Sequence, residues 1–124
     1  MPATLHQYAV DVVWNGGRDG SGEVTPETSG VKIPLAVGPE FQGPGGGSNP
    51  EELLAAAIAG CYTMTFGIIA SNRKLPVTRL TAKVVGEVEH NGPQITYKGV
   101  VIKPEIVLAA DATDEQVALT EDMA

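Results

Sequence analysis

Cys61 is the single cysteine of a 124-residue chain, and a thiol is intrinsically very nucleophilic. It reacts as its thiolate, a charge that burial disfavours. Cys61 stands about three turns into a helix-like run, where the N-terminal end of the helix dipole helps little. A cation therefore has to supply the stabilisation. Arg18 is the best candidate. A guanidinium is always charged, and Arg18 lies in the Gly-rich stretch Asn15-Gly16-Gly17-Arg18-Asp19-Gly20-Ser21-Gly22, free to fold over a pocket. The plain alternative is that a lone cysteine on an apolar helix is a small packed hydrophobe and Arg18 a solvated loop charge. His6 and His90 fall in separate segments and no CxxC pair occurs. A metal site has little to build on, and no cofactor is called for.

The element that must carry the thiol is the run from Ser48 to Ala70. Ser48 or Asn49 can cap it, and Pro50 suits the first helical position. Glu51 and Glu52 stand where the dipole favours acids, and Ser48 to Glu51 has capping-box spacing. Leu54, Ala57, Ile58, Cys61, Met64, Thr65 and Ile68 recur at steps of three and four, which predicts an apolar stripe holding Cys61. The other side, with Ala55, Ala56, Ala59, Gly60, Phe66 and Gly67, carries no charge either. A helix apolar all round is expected to be buried. The run is also long enough to raise a membrane span. Its Ala and Gly content makes it weakly apolar, however, Thr63, Thr65 and Ser71 interrupt it, and the remaining chain reads as a domain that needs a core.

Around that helix the pattern alternates. Residues 8–14 are β-branched and aromatic and predict a strand, followed by a glycine-rich turn and short strands at 23–25 and 31–35. Residues 37–49 hold too many Gly and Pro for regular structure. They feed a helix as a phosphate loop does, but Asn49-Pro50-Glu51 replaces the Lys-Ser/Thr pair that phosphate binding needs. Asn72 to Pro76 is a stop. Residues 77–90 predict a half-buried strand with Leu80, Ala82, Val84, Gly86 and Val88 on one face. Residues 94–108 predict its return, with Pro104 marking a bulge or an edge. Thr113 and Gln116 form a capping box for a last helix, whose apolar side is Val117, Leu119 and Met123.

One domain over 1–124 is expected at this length. The net charge of −7 argues against nucleic acid or an anionic membrane surface as partner. The opening Met1 to Gln7 lacks the basic start and apolar run of a leader. A reduced cytoplasm is then the expected location, with no intrachain disulfide.

The stretch Asn49-Pro50-Glu51-Glu52-Leu53-Leu54-Ala55-Ala56-Ala57-x-Ala59-Gly60-Cys61 closely resembles the signature of the OsmC/Ohr family of organic hydroperoxide reductases. Trp14-x-Gly16-Gly17-Arg18-x-Gly20 resembles that family's arginine segment. The resemblance covers nearly the whole chain. It implies an α+β fold with antiparallel sheets packed around a central buried Cys-bearing helix, in an intertwined homodimer with active sites at the subunit interface. It implies a peroxidatic role for Cys61 assisted by Arg18 and Glu51, with an organic hydroperoxide as substrate and an external thiol as reductant, often a dihydrolipoyl group on a protein. The family's second cysteine lies beyond the last helix and is absent here. That departure suggests either a one-cysteine cycle or a chain lacking the C-terminal segment of a two-cysteine enzyme. It also keeps open a non-catalytic OsmC-like dimer that binds a small apolar ligand or senses redox state. Without the resemblance, Glu51 reads as a plain N-terminal helix acid, as Glu52 does. Phe41, Tyr62, Met64 and Phe66 read as core more readily than as pocket lining. Ten residues of straight helix separate Glu51 from Cys61 by about 15 Å. Either the helix breaks near its start, or Glu51 serves the Cys61 of another subunit; the second is favoured.

Overall fold

A computed structural model of the chain describes residues 3–124. Met1 and Pro2, the first residues of the opening segment that lacks a leader's pattern, lie outside the described residues. The chain divides into two compact units, 1–50 and 51–124.

The first unit is an antiparallel sheet of three strands in the order β1 (Val10–Asn15), β2 (Ser21–Pro26) and β3 (Ile33–Leu35). Asn15 pairs with Ser21, so residues 16–20 form the hairpin loop that carries Arg18. Gly16 turns the chain with a φ of 99°, a conformation that costs glycine little. A single 3-10 turn, Pro39–Phe41, follows. The glycine-rich segment then returns to β3, where Ser48 N–H donates to Pro34 and Ala36 N–H donates to Ser48.

The second unit opens with α1 (Pro50–Asn72), unbroken, with Glu51 and Glu52 in its first turn. It ends where expected. Lys74 adopts a φ of 54°, and the N–H groups of Lys74 and Leu75 return to the carbonyls of Ser71 and Ala70, which satisfies two of the last free acceptors. The strands β4 (Val77–Asn91) and β5 (Gln94–Leu108) form a long antiparallel hairpin. Pro104 pairs in register with Ala82 in this two-stranded sheet, where both strands are edges. The register shifts lie instead at Thr78, between the pairs Val77–Leu108 and Arg79–Val107, and at Lys98, between the pairs Glu87–Gly99 and Val88–Tyr97. α2 (Asp114–Met123) has the expected capping box, with Gln116 N–H donating to Thr113 Oγ1 at 3.1 Å and Thr113 N–H to Gln116 Oε1 at 2.9 Å.

The core of this unit gathers Phe66, Ala70 and Leu75 against Val77, Leu80, Ile106, Leu119 and Met123. Its position corrects the expectation of a central buried Cys-bearing helix. Phe66 and Ala70 are 4% and 3% exposed, whereas Met64 is 71% and Ile68 61% exposed, and Leu54 and Cys61 are exposed as well. The helix expected to be buried all round is buried on one side, and the stripe holding Cys61 is its outer face. Two antiparallel sheets and an α+β composition stand, but the structure is of one chain and shows no intertwined dimer. The physical reason is the helix's lack of a polar side. Periodicity cannot choose a face where none is charged, and the face that turns inward is the one whose Phe66 and Ala70 meet Val77, Leu80 and Ile106 of the strands that follow.

Candidate functional site

Cys61 projects from the middle of the exposed face of α1. One turn on, Thr65 Oγ1 lies 3.9 Å from its Sγ, close enough for a long hydrogen bond in which either atom can donate. The i to i+4 spacing that makes them neighbours was present in the stripe. A sulfur placed so is open to a small oxidant and to a second thiol, which a packed core cysteine is not. The inert-hydrophobe alternative therefore loses its premise of burial.

Arg18, in the first unit, is exposed at the tip of the β1–β2 hairpin. Its Nη1 donates to Gln42 Oε1 at 3.1 Å. Gln42 follows the 3-10 turn with a φ of 65° and closes it as its left-handed cap. This tethers a guanidinium that would otherwise sample many rotamers, at a cost of up to ~2 kcal/mol of side-chain entropy. The partnership was not legible beforehand: Gln42 is one amide among glycines, with nothing in its spacing to connect it to Arg18.

Glu51 is half-buried in the first turn of α1. Its backbone carbonyl accepts a hydrogen bond from Tyr97 Oη of β5 at 3.3 Å. Because α1 is unbroken, Glu51 and Cys61 stay about 15 Å apart along one axis. The break near the helix start that would have joined them does not occur. The structure thus pairs Cys61 with Thr65, Arg18 with Gln42, and the Glu51 carbonyl with Tyr97. Of the other candidates, Phe66 joins the core, Met64 faces outward, and Tyr62 is half-buried.

A family profile described as "OsmC-like protein" matches residues 43–123, which include Glu51 and Cys61. The chain belongs to the OsmC/Ohr family. It is 30% identical over 118 residues to the uncharacterised protein YmaD of Bacillus subtilis, covering 95% of this chain and 77% of that one. It is 32% identical over 90 residues to the organic hydroperoxide resistance protein-like 2 of Staphylococcus epidermidis, covering 68% of this chain and 62% of that one. Among solved structures, an OsmC-like protein from Vibrio cholerae superposes with a TM-score of 0.79 at 21% identity, covering 96% of this chain and 85% of that one. An organic hydroperoxide resistance protein from Legionella pneumophila gives a TM-score of 0.71 at 24% identity, covering 98% and 84%. These structural matches establish an OsmC-like fold. Membership in a redox family gives Cys61 a context that an isolated exposed thiol lacks.

Proposed function

We propose that the chain is a thiol-dependent peroxidase that reduces organic hydroperoxides, and hydrogen peroxide more weakly, through Cys61. The observation that carries this reading is an exposed Cys61 inside the segment matched as OsmC-like. The Cys61 thiolate attacks the terminal peroxide oxygen and the O–O bond breaks. The alkoxide leaves and takes a proton to become the alcohol. Sulfur loses two electrons and becomes a sulfenic acid. Arg18 stabilises the thiolate and the developing alkoxide together, and Glu51 holds the guanidinium through a bidentate pair.

In this reading Glu51, separated from its own Cys61 by a continuous helix, acts on the Cys61 of a second copy in a homodimer. The exposed apolar residues Met64 and Ile68 favour such pairing. With one cysteine in this chain, an external thiol, such as a dihydrolipoyl protein, attacks the sulfenic sulfur and expels water. A second thiol then releases Cys61 and leaves the reductant as a disulfide. No cofactor, nucleic acid or membrane takes part, and a reducing cytoplasm suits the cycle. α1 is long and apolar enough to cross a membrane, but its Phe66 face packs in the core with strand and α2 residues.

The test is the rate of Cys61 oxidation by cumene hydroperoxide against hydrogen peroxide, followed by intact mass, in wild type and Arg18→Ala. Fast, organic-selective oxidation that the variant loses is the expected result. Oxidation no faster than a free thiol and indifferent to Arg18 would refute the peroxidase and leave a ligand-binding relative.

A further inference from the structure

The first turn of α1 is held from the sheet by a contact that the reaction scheme above does not use. Counting back from Val100, which pairs with Gly86, regular alternation would put Tyr97 on the outer face of the hairpin, with Val101 and Lys103. The bulge at Lys98 removes that parity. Tyr97 pairs with Val88 and so joins Gly86, Val84 and Ala82 on the face turned toward α1. Bulges commonly re-aim a side chain in this way.

Tyr97 then lies across Gly86. A Cβ at Gly86 would run into the Tyr97 hydroxyl and stand 2.9 Å from Cζ and 3.5 Å from Ala55 Cβ. The phenol crosses this notch and donates to the Glu51 carbonyl at 3.3 Å. A carbonyl oxygen has two lone pairs, so it can accept a side-chain donor beside the helix's own amide. Helix ends fray, and a tether from the paired strands restrains the turn from which the Glu51 carboxylate projects.

The geometry points to Tyr97 as a positioning residue: through the Gly86 notch it fixes the first turn of α1, and with it Glu51, for the thiol chemistry of Cys61. This rests on the roles of Cys61 and Glu51 proposed above. Tyr97→Phe keeps the ring and deletes the donor, while Gly86→Ala pushes the ring out of its notch.

Two readouts test it in the 124-residue chain: amide exchange of the peptide spanning residues 50–58, and the rate of Cys61 oxidation by cumene hydroperoxide. Tyr97→Phe is expected to speed exchange and slow oxidation, each about fivefold, the equivalent of one neutral hydrogen bond. Gly86→Ala should reproduce both changes. In a Glu51→Gln background, Tyr97→Phe should slow oxidation no further, because its effect passes through Glu51. An undiminished effect in that background, or unchanged exchange and oxidation in Tyr97→Phe, would overturn the assignment. If wild-type Cys61 reacts no faster than a free thiol, the peroxidase reading falls by itself. Exchange then decides alone: faster in Tyr97→Phe, the tether stands; unchanged, it is overturned.

Discussion

The two faces of α1 are nearly equal in hydrophobicity and opposite in fate. One face sets Phe66 and Ala70 into the core. The other holds Leu54, Cys61, Met64 and Ile68 in the open. The buried face combines small residues with one aromatic, and its Phe66 and Ala70 meet Val77, Leu80 and Ile106. The exposed face holds longer, flexible side chains and the thiol. Apolar character alone does not send a residue inside; shape complementarity to the available partner decides which side goes in.

The largest expected effect lies on the exposed face. Cys61→Ser should abolish peroxide consumption in a thiol-coupled assay while moving stability by no more than about 0.5 kcal/mol, as exposed substitutions do. Residual turnover at the wild-type rate would remove Cys61 from the chemistry. On the buried face the effects reverse. Phe66→Ala should cost about 3–5 kcal/mol in urea unfolding, whereas Met64→Ala, measured where the chain is monomeric, should cost no more than about 0.5 kcal/mol. Equal costs at the two positions would break the comparison, and a Met64 cost that grows with protein concentration would show a second copy covering that side.

Ala70→Leu sharpens it further. Overfilling the core at a position 3% exposed, against Phe66 and Leu75, should cost about 1–3 kcal/mol, visible as a lower unfolding midpoint. A neutral result would mean that α1 is not closely seated there. Thr65→Val should have the smallest effect, a two- to threefold change in the Cys61 oxidation rate, about what one weak hydrogen bond is worth. An unchanged rate would reduce Thr65 to a neighbour of the sulfur.

Much of the local structure was legible in the sequence. Pro50 and the two acids after it opened α1, and the stop at Asn72 to Pro76 closed it. The Thr113–Gln116 box began α2 as read. The alternation from Leu80 to Val88 identified the inner face of β4. The candidate site was legible as separate residues, Arg18, Glu51 and Cys61, but the side chains that hold or neighbour them were not. Gln42 reaches Arg18 from 24 residues away in the chain, and Tyr97 reaches the Glu51 turn from 46. Pro104, read as a bulge or an edge, sits in register on an edge strand, which tolerates proline's missing donor, and the bulge at Lys98 carries no proline signal.

The sequence by itself determined where elements start and stop, because caps, turns and strand alternation act over a few residues and are written in residue type. It also determined the family, through the spacing around Cys61. Only the tertiary structure decided which face of α1 met the sheet, and hence that Cys61 faces outward. A helix without a polar side has no intrinsic inside, and the choice waits for the surface it packs against. The same holds for Tyr97: one extra residue in β5 reverses the parity of its side chain, and the pairing of two long strands, not the local sequence, sets where that residue is absorbed.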